Sequence, residues 1–109
     1  MERRQHRRVS TQVKSLLRAN SHEVEGKAID LSMSGARIES SLDVEPGTSI
    51  VVKLLMPGDD VPIVIEQAQV QWNVDRTFGI RFLDMQQQDR DELETLIDEC
   101  IALDEGKEA

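Results

Sequence analysis

The sequence contains few aromatic residues, since its 109 residues include one Trp, two Phe and no Tyr. Proteins that bind RNA or single-stranded nucleic acids stack successive bases on aromatic side chains, and three rings are too few for such a platform. The aromatic content therefore argues against a nucleic-acid partner.

Cysteine and histidine are also scarce. The single cysteine, Cys100, cannot form an internal disulfide, and its place in a helical apolar stripe predicts a small buried side chain. His6 and His22 do not complete a metal site with it. Neither histidine has a neighbour that would orient it as a catalytic base, and the carboxylates show no pattern typical of a cleft. We predict that the chain is not an enzyme and uses no cofactor.

A long apolar run is missing as well. No stretch approaches the roughly 18 residues that a membrane-spanning helix needs, and Met1 is followed by arginines rather than by a signal-peptide apolar segment. We therefore expect a cytoplasmic protein that does not insert into a membrane. A length of 109 residues fits one small domain with a modest core.

The charged residues are distributed unevenly, as a basic N-terminus on an acidic body. Residues 1–18 hold six basic side chains against one acid, Glu2, although the whole chain has a net charge of −8. The other 91 residues therefore carry −13. Because an acidic body repels a nucleic-acid polyanion, a compact anion suits the basic segment better.

Two short motifs supply groups that suit a guanine nucleotide. Arg4 and Arg8 lie four residues apart, and paired guanidinium groups bind phosphate bidentately, stack on a base or contact the O6/N7 edge of guanine. Downstream, the segment DLSMSG at 30–35 predicts a turn between two strands. Its Asp30 carboxylate is an acceptor for the N1–H and N2–H₂ donors of guanine. Gly35 is predicted either to adopt a positive φ angle or to let a ligand approach the backbone closely.

Apolar and polar residues alternate through most of the chain, which predicts β-strands. Turn signals such as Asn20-Ser21 and Pro46-Gly47 separate them. Six strands at this spacing predict a mainly β fold, a small antiparallel β-barrel whose closure removes exposed sheet edges. On the fifth strand, Ala68, Val70 and Trp72 are predicted to point inward. The predicted strands lie at about 11–18, 22–31, 36–41, 49–56, 61–72 and 78–82.

After the last strand the apolar period becomes helical, which predicts an amphipathic helix over about 85–103 with an acidic outer face. The chain is predicted to be a single domain over 1–109. It divides into a flexible basic arm over 1–10, a barrel over 11–83, the helix, and a disordered tail over 104–109. The apolar residues at helical spacing are Leu93, Leu96, Ile97, Cys100 and Ile101.

The two motifs, in this order, resemble the paired signature of PilZ domains, the bacterial receptors for cyclic di-GMP. The segments VQW at 70–72 and FGIRF at 78–82 are similar to the last strands of that family. The similarity runs from Glu2 to about Leu103, and no required motif position is missing, whereas many family members have lost the arginines and do not bind the nucleotide. The resemblance implies a PilZ-like split β-barrel with a C-terminal α-helix.

The resemblance also implies roles for the residues of the two motifs. Arg4 and Arg8 would clamp phosphate oxygens and a guanine edge, with Arg3 assisting. Asp30 would bind the donor edge of a guanine, and Ser32 would add a hydrogen bond.

The expected roles of the other residues near the two motifs are less specific. Gly35 would shape the turn. Trp72 either packs against the ligand, as in similar family members, or belongs to the core. Arg37 and Arg81 are predicted to be ordinary strand exteriors.

The predicted mechanism is ligand-driven ordering of the arm. Residues 2–8 contain no apolar side chain that would fix them to the body. The arm would fold over the turn when cyclic di-GMP binds, as one molecule or as a stacked pair, and would present a changed surface to an unidentified effector protein. The alternative is a module of the same fold that does not signal through the nucleotide and whose acidic helix docks onto a basic partner.

Overall fold

The computed structural model describes residues 8–56 and 61–107, with side chains described as far as residue 101. Within these ranges the alternating segments form six strands, and a helix follows them. The elements are β1 (Val9–Ala19), β2 (His22–Leu31), β3 (Gly35–Ser40), β4 (Ser49–Leu55), β5 (Ile63–Val74), β6 (Thr77–Asp84) and α1 (Gln87–Lys107).

Each of these strands pairs with two neighbours, so the sheet closes on itself. The order around the barrel is β1-β2-β3-β6-β5-β4, and every pairing is antiparallel. Closure satisfies the backbone groups that an open sheet leaves exposed at its edges. The predicted six-stranded antiparallel β-barrel with a C-terminal helix is confirmed.

Two-residue turns connect β1 to β2 and β5 to β6. The first turn uses Asn20 and Ser21, with φ angles of 54° and 77°, and the second uses Asp75 and Arg76, with φ angles of 52° and 64°. Positive φ at both central residues is the hairpin geometry whose twist matches that of the flanking strands. The tight turn predicted at Asn20-Ser21 is confirmed.

Aliphatic side chains from the six strands, with Phe78, fill the barrel, and α1 packs against β1 and β5. Leu93, Leu96 and Ile97 form the buried helix face, and Cys100 is partly buried beside them. The Val64 N–H donates to Asp89 Oδ1 at 3.0 Å, which ties the start of α1 to β5. Within the described ranges, no helix is long and apolar enough to cross a membrane. The core residues with no exposed surface include Leu17, Leu31, Ile38, Val52, Ile65 and Phe78.

Some element boundaries differ from the prediction. β1 begins at Val9 rather than at 11, because Val9 is buried and pairs with Leu31, so residues 9 and 10 belong to the barrel rather than to the arm. The helix begins at Gln87 and extends to Lys107, so residues 104–107 belong to it rather than to a tail. The sequence places its last apolar helix positions near 101–103, and the helical backbone continues past them.

The predicted direction of Trp72 is wrong. Ala68 and Val70 point inward with 0% and 1% exposure, whereas Trp72 is 40% exposed. Val70 pairs with Ile80 and Trp72 pairs with Gly79, so two residues of β5 correspond to one of β6. This β-bulge shifts the alternation by one residue and turns Trp72 to the outer face.

Candidate functional site

Residues from four adjacent strands form a continuous row on the outside of the barrel. Asp30 on β2 is the register partner of Arg37 on β3, and Arg37 is the partner of Gly79 on β6. Gly79 is in turn the partner of Trp72 on β5. Since adjacent strands lie about 4.8 Å apart, the row extends over roughly 14 Å. We call these four residues the cross-strand row.

A β-bulge turns each end of the cross-strand row outward. On β2, Ala28 pairs with Ile38 while Asp30 pairs with Arg37, so two residues of β2 correspond to one of β3. Strict alternation from the buried Ala28 would place Asp30 inside the barrel. On β5, strict alternation from the buried Val70 would likewise place Trp72 inside. The two bulges therefore bring a carboxylate and an indole to the same outer surface.

Two guanidinium groups flank the Asp30 carboxylate. Arg8 Nη1 lies 3.6 Å from Oδ1, and Arg37 Nη2 lies 3.6 Å from Oδ2. The Asp30 side chain is 19% exposed, and the two arginine side chains are about half exposed. Both separations exceed a good hydrogen-bond length, and exposed ion pairs contribute about 0–1 kcal/mol. A ligand can therefore replace either arginine at the carboxylate at little cost.

The row lines an open cavity of about 400 Å³. That volume lies within the range of small-molecule pockets. Its described lining includes Arg8, Arg37 and Arg81 against one acid, Asp30. An excess of guanidinium groups here, on a body with negative net charge, favours an anionic ligand with planar groups. Ser34 and Gln71 also line the cavity.

Arg37 and Arg81 lie on strand exteriors, as predicted, and they also line the cavity, which the sequence pattern does not predict. Alternation correctly places them on the outer face. However, the register that pairs Arg37 with Asp30 depends on the β2 bulge, which has no clear sequence signature.

Trp72 lies with its indole directly over Gly79. A Cβ atom built on Gly79 would fall 2.4 Å from Nε1 and 2.6 Å from Cε2 of the ring. The indole covers this part of β6, which leaves Gly79 buried although it lies on the outer surface. Of the two expectations for Trp72, the structure supports exposure at the cavity rather than a place in the core.

Ser32 organises the turn between β2 and β3 from a fully buried position. Its N–H donates to the Gly35 carbonyl at 2.9 Å, and its Oγ accepts from the Ser34 N–H at 3.2 Å and donates to the Gly35 carbonyl at 3.3 Å. The Ser32 hydroxyl therefore does not line the cavity, and Ser34 does.

Gly35 allows close contact between β3 and β6. A Cβ atom at this position would fall 2.3 Å from the Ile80 carbonyl oxygen. Among the residues that the structure describes, Gly47 is the glycine with positive φ, so the expectation of a positive φ at Gly35 is wrong. The backbone that approaches Gly35 is that of β6, which explains why glycine is needed here.

Replacing Gly35 by Ala is expected to lower the free energy of unfolding by about 2–3 kcal/mol, because the new methyl group forces two backbones apart. Urea unfolding followed by circular dichroism measures the change. Ser34→Ala is the neighbouring control and should cost less than about 1 kcal/mol. Equal stability of Gly35→Ala and the unsubstituted protein would contradict the assigned role.

The remaining predicted site residues, Arg3 and Arg4, lie outside the described residues. The structure thus brings together Arg8, Asp30, Gly35 and Trp72 at one cavity, with Ser32 inside the adjacent turn. Within the described part of the chain, no group of three His, Cys, Asp or Glu side chains is placed to hold a metal ion.

The fold and cavity define a small β-barrel domain with an arginine-rich external site. A protein-family model described as the PilZ domain matches residues 2–99, so this chain belongs to the PilZ domain family. PilZ domains are known as cyclic di-GMP receptors and are receptor or adaptor domains rather than enzymes. No curated protein matches the sequence.

Solved structures share the fold at low sequence identity. The Bacillus subtilis inhibitor of motility MotI/DgrA is 19% identical, with a TM-score of 0.74, and the match covers all of this chain and 55% of that one. The chain thus spans about half the length of that protein. The PilZ domain of CeSA from a cellulose-synthesizing bacterium is 16% identical, with a TM-score of 0.66. That match covers 90% of this chain and 98% of the other.

Proposed function

We propose that this chain is a bacterial, cytoplasmic receptor that binds cyclic di-GMP at the cross-strand row and the N-terminal arginines. The observation that carries the proposal is the convergence of Arg8, Asp30, Arg37 and Trp72 at one cavity in a PilZ fold. At this cavity the guanidinium groups can bind phosphate, the Asp30 carboxylate can accept hydrogen bonds from guanine, and the Trp72 ring can stack on a base.

The arginines bind the phosphates in this proposal. Arg8 and Arg4, the two arginines of the N-terminal motif, clamp phosphate oxygens and a guanine O6/N7 edge, and Arg3 assists them. Arg37 and Arg81 add positive charge to the lining of the cavity. Such a ligand carries two phosphates, so a site with several guanidinium groups suits it.

Asp30 supplies the specificity for guanine. Its two oxygens accept from N1–H and N2–H₂ of the base, while the phosphates draw Arg8 away from the carboxylate. Both ion pairs of Asp30 are long, so this exchange costs little free energy. Ser32 and Gly35 act on the same base indirectly, because they hold the turn that follows Asp30.

Trp72 offers its outer ring face to a guanine. Stacking of a base on an aromatic side chain is worth about 1–3 kcal/mol.

Charge-assisted hydrogen bonds add about 1.5–3 kcal/mol each. Ordering the N-terminal arm opposes them at about 1–2 kcal/mol per residue. We therefore expect a dissociation constant on the order of 1 µM.

The biological output is a changed surface that an effector protein recognises. A rival function is a PilZ-like interaction module that does not signal through the nucleotide. The observation that favours the rival is the acidic outer face of α1, where Asp91, Glu94, Asp98 and Glu99 are all exposed. A basic partner protein would complement that face.

Isothermal titration with cyclic di-GMP, GTP and a short DNA duplex tests the proposal. Saturable binding of cyclic di-GMP, with little heat from GTP or duplex, is the expected result, and the fitted stoichiometry distinguishes one molecule from a stacked pair. Binding of the duplex alone would overturn the proposal. No binding of any of the three would leave the interaction module as the better explanation.

Ligand binding should order residues 2–7 without remodelling the barrel. Backbone amide relaxation measured by NMR is expected to give order parameters for these residues that rise from below about 0.6 to about 0.85 on saturation. Strand residues Ile50–Leu54 serve as the internal control and should barely change. Equal order parameters for residues 2–7 with and without ligand would rule out the switch even if binding were confirmed.

A further inference from the structure

Gly79 contacts the indole of Trp72, and the two sequence motifs do not explain this contact. The three atoms nearest to a Cβ built at this position are Nε1, Cε2 and Cζ2 of Trp72, at 2.4, 2.6 and 2.9 Å. These atoms lie along one edge of the indole, across both of its rings, so this edge lies close against Gly79. A side chain of any size at position 79 would occupy the space that the indole fills.

The position of this contact links it to the cavity. Gly79 is the register partner of both Arg37 and Trp72, and all three line the cavity. The β5 bulge turns Trp72 outward, and the absence of a side chain at Gly79 lets the ring lie close against β6 once it is outside. The indole thus covers Gly79 and also lines the cavity.

We propose that Gly79 is a positioning residue for the ligand, which acts by letting the indole of Trp72 lie close against β6, in an orientation in which one ring face can stack on a base. The inference rests on the function proposed above and adds a residue outside its two sequence motifs. Any larger residue at 79 lifts the indole away from β6, so that the ring tilts into the cavity and no longer offers a parallel face.

A purely structural role for the pair predicts a different result. Aromatic residues that cover a cross-strand glycine stabilise sheets without any ligand. If that were the whole role, Gly79→Ala would change stability and leave ligand affinity unaltered. The two roles therefore separate when affinity and stability are measured on the same variants.

The variant Gly79→Ala is expected to fold. All three close contacts of the added methyl group are with the exposed side chain of Trp72, which can rotate away, whereas the corresponding clash at Gly35 is with backbone. Gly26→Ala is the matched control. It also adds a methyl group to a strand glycine, where the nearest atoms are Leu17 Cδ1 at 2.9 Å, Ser40 Cβ at 3.0 Å and the Glu39 carbonyl oxygen at 3.1 Å, and this position does not line the cavity.

A double-mutant cycle tests the proposal by calorimetric titration with cyclic di-GMP. Gly79→Ala and Trp72→Ala are each expected to raise the dissociation constant about tenfold, and the double variant should bind no more weakly than Trp72→Ala alone. Gly26→Ala should bind as the unsubstituted protein does. Unaltered affinity of Gly79→Ala, or losses that multiply in the double variant, would overturn the proposal.

The fluorescence of the unliganded protein gives a second readout, since Trp72 is the single tryptophan of the chain. Acrylamide should quench Trp72 more strongly in Gly79→Ala than in the unsubstituted protein or in Gly26→Ala, because the lifted ring exposes both faces. Equal quenching would overturn the proposed geometry. If the unsubstituted protein bound no cyclic di-GMP, the proposed function would fail. If the unsubstituted protein bound it and Gly79→Ala bound it with the same affinity, this inference alone would be overturned.

Discussion

Replacement of Arg8 by Ala is expected to weaken cyclic di-GMP binding about 100-fold or more while leaving the melting temperature of the unliganded protein nearly unchanged. A bidentate contact with phosphate consists of two charge-assisted hydrogen bonds of about 1.5–3 kcal/mol each, which accounts for the loss of affinity. The Arg8 side chain is 51% exposed, and its 3.6 Å ion pair with Asp30 contributes little to folding. Titration calorimetry and thermal unfolding measure the two effects.

The control for Arg8→Ala is Arg18→Ala, which removes the same charge from the other end of β1. Arg18 is exposed and does not line the cavity of the cross-strand row. A loss of affinity shared by both variants would indicate a long-range charge effect rather than a contact.

The same loss as for Arg8→Ala is expected for Arg4→Ala, since the two arginines form one motif. Strong destabilisation of the unliganded Arg8→Ala protein would contradict the assignment.

Replacement of Asp30 by Ala is expected to weaken cyclic di-GMP about 100-fold and to leave a guanine-free cyclic dinucleotide such as cyclic di-AMP nearly unaffected. The carboxylate accepts from N1–H and N2–H₂ of guanine, and adenine has no matching pair of donors. Removing the carboxylate leaves those guanine donors unpaired, which is the usual origin of large discrimination. Loss of the negative charge also frees Arg8 and Arg37 for phosphate, so the adenine ligand should not bind more weakly.

Both dinucleotides are titrated into Asp30→Ala and into the control variant Asp43→Ala. Asp43 is exposed between β3 and β4 and does not line the cavity. The control should bind cyclic di-GMP as the unsubstituted protein does. Equal losses for the two dinucleotides in Asp30→Ala would mean that this residue only shapes its turn.

Alternation and turn residues predict most of the fold. A period of two places the inward side chains of β1 correctly, and the change to a helical period after β6 identifies the face of α1 that packs on the barrel. The element boundaries are less well predicted. Val9 joins β1 because its side chain fits the core, a tertiary effect that short local patterns do not reveal.

The site is predicted only in part, because its geometry depends on bulges. The motifs identify Asp30 and Arg8, but alternation alone directs Trp72 into the core and gives no reason to place Arg37 beside Asp30. A single bulge reverses the direction of every later residue on a strand. Ser32 illustrates a second limit, since its hydroxyl is used within the turn and only the three-dimensional contacts reveal this.

Chemical-shift mapping with unlabelled cyclic di-GMP and isotope-labelled protein tests most directly whether the nucleotide binds at the cross-strand row. The expected result is a saturable shift of the amides of Arg8, Asp30, Arg37 and Gly79 and of the indole N–H of Trp72. Residues Ile50–Leu54 of β4, one of the two strands that contribute nothing to the row, should remain unshifted. Shifts confined to the acidic face of α1, or no shifts at saturating nucleotide, would contradict a cyclic di-GMP site at the row.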